Sequence, residues 1–155
     1  MINQSRDAMR AALRTVFPAS EVPHLHLGMV PAGFVRPALY LHMVPMRHDR
    51  LSADMQGYRL RWQVVYFPQE DDAGNALVDN LHAAASKLEA LFTRTDALET
   101  PNGQLMTVEE FEMDVTDELI YCTTALRCGM ARKEPAAAAM GDIEIHVATG
   151  NGKDE

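Results

Sequence analysis

From Tyr58 to Phe67 one side of the alternation is apolar throughout: Tyr58, Leu60, Trp62, Val64 and Tyr66 fall on it, with Arg59, Arg61 and Gln63 on the other. Successive side chains of an extended chain point to opposite faces, so this pattern is the mark of a half-buried strand. Such a strand needs a sheet with one face packed under an apolar layer and the other face left polar. The covering layer has to come from elsewhere in the same chain.

Two segments can supply it. Ile2, Met9, Ala12, Leu13 and Val16 recur at three- and four-residue steps, with Arg6, Arg10 and Arg14 on another face, which predicts an amphipathic helix over residues 2–16. Pro18 ends it, because the residue before a proline is pushed out of helical angles, and Phe17 packs at the exit. A second helix is predicted over 76–92. Leu77, Leu81, Ala84, Leu88, Leu91 and Phe92 form its apolar stripe, and Asp71, Asp72 or Asn75 are candidates to cap its start.

The rest of the chain reads as strands and turns. Between His24 and Met46 the breakers Gly28, Pro31, Gly33, Pro37 and Pro45 exclude a helix of any length, so short strands are expected there, including Ala38 to Val44. In that segment neither side is fully polar, which suggests cover on both faces. Residues 46–57 read as a polar hairpin connection and 95–104 as a loop. Leu105–Val115 and Glu118–Cys128 are expected to form an antiparallel hairpin turning near Thr116 and Asp117. The predicted fold is α+β: an antiparallel β-sheet of about four to five strands with two α-helices packed on one face. The expected core draws on Leu13 and Val16, on Leu81, Leu88 and Leu91, and on Leu60, Trp62 and Val64.

A chain of 155 residues suits one domain, which buries roughly 70% of its unfolded surface. Residues 1–128 are assigned to it. Residues 129–155 read as a C-terminal extension or arm, with an alanine-rich link, a short strand expected over 142–148 and a disordered end. No apolar run is long enough to cross a membrane, and the polar start MINQSRDAMR lacks a signal peptide's apolar stretch, so a cytoplasmic protein is the default. Cys122 and Cys128 would lie roughly 20 Å apart on one strand at about 3.3 Å per residue. That is too far for a disulfide, so both are expected as reduced, half-buried thiols.

Signatures of catalysis are missing. There is no Gly-rich phosphate loop, G-x-S-x-G, H-E-x-x-H or paired C-x-x-C, and no catalytic residue, cofactor or metal is assigned. His24 and His26, with His42 or His146, are the nearest approach to a ligand set, but no carboxylate or cysteine stands at ligand spacing. The net charge of −8 argues against a grip on DNA through many phosphate contacts. Two charge clusters remain. Arg47, Arg50, Arg59 and Arg61 sit across a predicted hairpin; a solvated sheet face explains them, and a subunit interface would use them to set register. Glu109, Glu110, Glu112, Asp114, Asp117 and Glu118 crowd a short stretch that is most simply a solvated edge. The sharper reading lines a channel for DNA. Alternation then lets only Glu110, Glu112 and Asp114 face the lumen while Phe111, Met113 and Val115 pack inward.

The order of these pieces resembles the small tail terminator proteins of long-tailed bacteriophages. The likeness lies in the helix closing at Val16-Phe17-Pro18, the strand at Pro37-Ala38-Leu39, the long strand ending Val65-Tyr66-Phe67-Pro68, the leucine-rich helix and the late strand pair. It covers roughly residues 1–128. The resemblance implies a structural virion protein without enzyme activity. It implies a hexameric ring, assembled in the host cytoplasm and carried in the tail or neck, that caps the tail tube and joins the tail to the head connector. The implied partners are further copies of the chain, the tail tube and sheath proteins and a head-completion protein, with DNA passing through unbound. The competing expectation is a small α+β enzyme or ligand-binding module of bacterial or prophage origin.

Overall fold

The computed structural model describes residues 1–52 and 55–131. The strand expected over 142–148, most of the C-terminal arm and His146 lie outside them. In chain order the elements are α1 (Ile2–Val16), β1 (His24–Leu27), β2 (Ala38–Arg50), β3 (Met55–Phe67), α2 (Val78–Arg94), β4 (Ala97–Glu99), β5 (Leu105–Thr116) and β6 (Leu119–Ala131). The fold is α+β with two helices, as expected. The sheet is larger than expected and mixed: among the described residues it has six strands in the order β1-β2-β3-β6-β5-β4, and β1 runs parallel to β2.

Two strands account for the difference from the four to five antiparallel strands expected. β4 lies in the stretch read as a loop, and pairs Leu98 with Met106 on β5. β1 is parallel because residues 28–37 carry the chain back across the sheet before β2 begins. Phe34 meets the Phe67 ring edge-on at 4.6 Å and the His26 ring at 6.0 Å. The Arg36 guanidinium lies 5.6 Å from the Phe34 ring and 5.5 Å from that of Phe67, and pairs with Glu70 at 2.7 Å. This connection lies over one end of the sheet face that has no helices. It explains why Ala38 and Val65 are buried on that face, and why β2 shows no polar side in the sequence.

Residues read as a polar connection are strand instead. β2 runs on to Arg50 and β3 begins at Met55, with a bulge between Val44 and Arg47. A Cβ on Gly57 would come within 3.0 Å of the Leu51 side chain, so glycine is what lets Leu51 fold back over the hairpin. The β5–β6 turn forms where expected. Asp117 (φ 52°) and Glu118 (φ 60°) are both left-handed, the geometry that matches the twist of a two-residue hairpin.

The helix face of the sheet is built in rows by the pairing. Leu41, Val64, Cys122 and Met113 form one such row, and Tyr66, Ile120 and Val115 belong to the next. Onto these rows α1 buries Ser5, Ala8, Met9 and Leu13, and α2 buries Leu81, Ala84, Leu88 and Phe92. Val16 and Leu91, expected in the core, are half-buried, and Ile2 is exposed at the first turn. Phe17 stacks on Tyr66 at 5.7 Å, and the Tyr66 hydroxyl donates to Asn80 Oδ1 at 2.6 Å, tying the exit of α1 to the sheet and to α2. Arg14 fixes the loop after α1 by donating to the carbonyls of Phe17, Val22 and Pro23.

α2 starts at Val78 rather than Ala76 because its expected caps are otherwise engaged. Asp71 Oδ1 accepts from the backbone N–H groups of Ala73 and Asn75, both at 2.9 Å, closing a turn of its own. Those bonds, above all the ones from Asn75, hold the Asp71 carboxyl below its usual range.

Candidate functional site

The face of the sheet away from the helices carries the chain's charged and polar chemistry. Alternation brings Arg59, Arg61 and Gln63 of β3 to this face, with Arg127, Ala125 and Thr123 as their partners on β6. β5 adds Glu110 beside Ala125, Glu112 beside Thr123 and Asp114 beside Tyr121. Phe111, Met113 and Val115 turn the other way, and the Phe111 ring stacks with Phe92 of α2 at 6.0 Å.

A bulge between Val108 and Glu110 alters this count locally. Strict alternation would send Glu109 to the helix face. The inserted residue shifts the phase, so that Glu109 and Glu110 both reach the arginines. Arg59 bonds Glu109 at 3.0 Å and also pairs with Glu110, Arg61 stands 3.8 Å from Glu110, and Arg127 reaches Glu109 at 3.2 Å. The result is a network of three arginines and two glutamates laid across β3, β6 and β5. Single surface pairs of this kind contribute about 0.2–1 kcal/mol. A network shared across three strands orients its members more than it stabilises them.

Pro45, Arg47, Arg59, Arg61, Glu110 and Glu112 line an open cleft of about 400 Å³ on this face. Two of the four arginines of the basic cluster are thus paired inside the subunit. Arg47 and Arg50 are exposed at the far end of β2, on opposite sides of the strand, and neither has an ion-pair partner among the described residues. Of the three carboxylates, Glu110 belongs to the network, Asp114 accepts from the Thr116 hydroxyl at 2.8 Å, and Glu112 is exposed and unpaired among the described residues. Sequence reasoning omitted Arg127 and did not place Glu109 on this face. Arg127 follows from the alternation Thr123, Ala125, Arg127, and adjacent Glu109 and Glu110 are the sign of a bulge.

The other end of the face is aromatic. His24 and His26 stack at 6.0 Å and Tyr40 and His42 at 4.8 Å. His42 is held below its usual pKa by burial. Among the described residues no group of His, Cys, Asp and Glu stands close enough to hold a metal ion. His26 Nε2, His42 Nδ1 and Arg61 Nε are buried with no hydrogen-bond partner in the described chain.

Cys122 and Cys128 are free and buried on the opposite face. Among the described residues no helix is long and apolar enough to cross a membrane. The arrangement offers a broad surface of fixed, largely paired charge beside an aromatic patch, which is the equipment of a contact surface.

Comparison with known proteins agrees with that character. No curated protein matches the chain. The family described as phage tail terminator protein matches it over residues 6–138, from α1 through the end of β6 and beyond. The chain therefore belongs to the phage tail terminator family and is a structural component of the phage tail, working in contact with other tail components.

Proposed function

We propose that the chain is the subunit of a hexameric ring that caps the finished tail tube, stops its growth and presents a docking surface to the head connector. The observation that carries this reading is the terminator-family match over residues 6–138, on a chain whose sheet has one charged face that no helix covers among the described residues. A ring subunit needs surface to spare on two flanks and toward the bore. A sheet covered on one side supplies it. In this reading the ring assembles in the host cytoplasm, remains in the virion neck, touches the tube and sheath proteins on one rim and the head-completion protein on the other, and lets DNA pass unbound.

The charge distribution supports assigned roles within that ring. Arg59 and Arg61 are engaged by Glu109 and Glu110 of the same subunit, so Arg47 and Arg50 are the members of the cluster free to meet a neighbour. Glu110, Glu112 and Asp114 turn toward the channel, where a neutralised or acidic lining gives the phosphates of a duplex nothing to bind. A phage lacking the chain tests the reading. Its tubes are expected to overgrow and to remain unjoined to heads, and complementation with the chain restores uniform joined tails. Tails of normal length, joined to heads without the chain, would rule the role out.

A further inference from the structure

Both flanks of the sheet end in strands that are only partly paired. β1 covers β2 from Ala38 to Leu41, and the last backbone bond on that flank runs from Gly28 N to Leu41 O. From His42 to Arg50 no described strand pairs with the outer edge of β2. On the other flank β4 covers β5 from Leu105 to Thr107, followed by one bond from Val108 N to Asp96 O. From Glu109 to Thr116 no described strand pairs with the outer edge of β5. Unpaired backbone N–H and C=O groups along an edge are a template for another strand.

We propose that neighbouring copies of this chain join edge to edge, the outer edge of β2 over residues 42–50 taking the outer edge of β5 over residues 109–116 of the next copy as its antiparallel neighbour. This rests on the ring reading above and specifies the contact that builds the ring.

Three observations select this pairing. The first is charge. On the open face the β2 edge carries Arg47, exposed and without an ion-pair partner among the described residues, while the β5 edge carries exposed Glu112 and Asp114. Pairing β2 with β2 brings arginines together and pairing β5 with β5 brings carboxylates together. Like charges on facing strands are unfavourable and opposite charges favourable, so the unlike pair is selected. The second is direction. β2, β3, β6 and β5 each run antiparallel to the next, so β2 and β5 run oppositely within one sheet. Rotation about an axis along the strands preserves those directions, and the two edges then meet antiparallel. The third is position. The edges lie on opposite flanks of the same sheet, so the contact is head to tail, and such a contact closes into a ring when the rotation divides a full turn.

The edge also carries its own restraint. Pro45 has no N–H to donate and the bulge between Val44 and Arg47 breaks the pleat, so pairing is confined to short stretches on either side. That limits open-ended sheet growth. Arg47 lies on the open face, as do Glu112 and Asp114, so a continuous sheet sets Arg47 beside those carboxylates. The open faces of all copies then form one continuous surface.

Cysteine pairs test the contact in assembled tails. Arg47→Cys is combined with Glu112→Cys in one variant and with Asp114→Cys in another, to allow for either register. Each full chain is supplied to a phage lacking its own copy, and the isolated tails are oxidised. One of the two pairs is expected to give multiples of the chain mass on a non-reducing gel, while the three single variants give monomer only. A second arm uses charge: Arg47→Glu is expected to abolish joined tails, and Glu112→Arg with Asp114→Arg added in the same chain to restore them. Normal joined tails that yield only monomer from both pairs, or an Arg47→Glu chain that assembles like the original, overturn the edge contact and leave the terminator ring standing. If removing the whole chain leaves tails unchanged, the ring reading falls and the contact falls with it.

Discussion

Cys122 has no exposed surface, and its neighbours in the sheet are Val64 on β3 and Met113 on β5. A thiolate there would lose its hydration and gain no opposite charge. Burial accordingly pushes the thiol up to about 12. In the unfolded chain the same group titrates near 9. Below that value both states hold the proton and stability does not depend on it. Between about 9 and 12 the unfolded chain releases the proton while the folded chain keeps it, so folding stability falls as pH rises, by roughly 1.4 kcal/mol per pH unit. Tyr66 and Cys128 are also raised by burial and add slopes of the same sign, so the diagnostic quantity is a difference. Urea unfolding of the native chain and of Cys122→Ala between pH 8.5 and 10.5 is expected to show the variant losing stability less steeply. Parallel curves would mean that Cys122 titrates normally and that the face beneath α2 is wet.

The β5–β6 hairpin shows how an element combines a local cost with a tertiary gain. Left-handed geometry costs a residue with a Cβ roughly 1–2 kcal/mol, and Asp117 and Glu118 both adopt it. Glycine relieves that strain but loses about 0.5–1 kcal/mol in chain entropy. Asp117→Gly is therefore expected to stabilise by about 0.5–1 kcal/mol. Glu118→Gly is expected to be near neutral, because Glu118 Oε2 also accepts from Ala76 N at 2.9 Å and ties the turn to the approach of α2. Urea midpoints at unchanged slope would show it, and equal gains from both variants would mean the Ala76 bond contributes nothing. The turn itself was legible in the sequence, as were α1, most of α2, and the strands of residues 58–67 and 105–128, because each has an apolar face that repeats at its own period. What was not legible lacked such a face. β4 offers one buried residue, Leu98, and a single residue has no period. The outer parts of β2 and β3 are largely exposed, so their composition is that of a loop although the backbone is paired. The sequence His24-Leu25-His26-Leu27 announces a strand but not its direction, which depends on how Phe34 and Arg36 seat the connection over Phe67. Of the charged face, alternation placed Arg59, Arg61, Glu110, Glu112 and Asp114 on one side, but the ion pairs between them depend on strand order and on the bulge at Glu109.

At the scale of the whole molecule the open face has to be assigned to the bore or to the outside of the ring, and its charge makes the two distinguishable. A duplex carries one negative charge roughly every 1.7 Å along its axis, and each added cation in the bore is one more counterion site on the DNA. The carboxylates are poor probes of this. Replacing Glu110 would strip Arg59 and Arg61 of a partner, and Glu112 and Asp114 lie on the edge proposed to hold the neighbour. Gln63 and Thr123 are better placed. They are cross-strand partners on the two inner strands of the face, half-buried, and neither belongs to a free edge strand. Gln63→Lys with Thr123→Lys adds positive charge there without breaking an ion pair. If the face lines the channel, tails carrying the double variant are expected to have normal length and to join heads, but to release DNA more slowly. Raising the salt is expected to restore the rate, since screening shortens the reach of the added charge to about 3 Å at 1 M. Gln63→Ala with Thr123→Ala, which changes the same positions without charge, is expected to eject normally. Normal ejection from the lysine variant at low salt would put the face on the outside of the ring. Slow ejection that salt does not relieve, or that the alanine variant shares, would trace the effect to altered packing of β3 against β6.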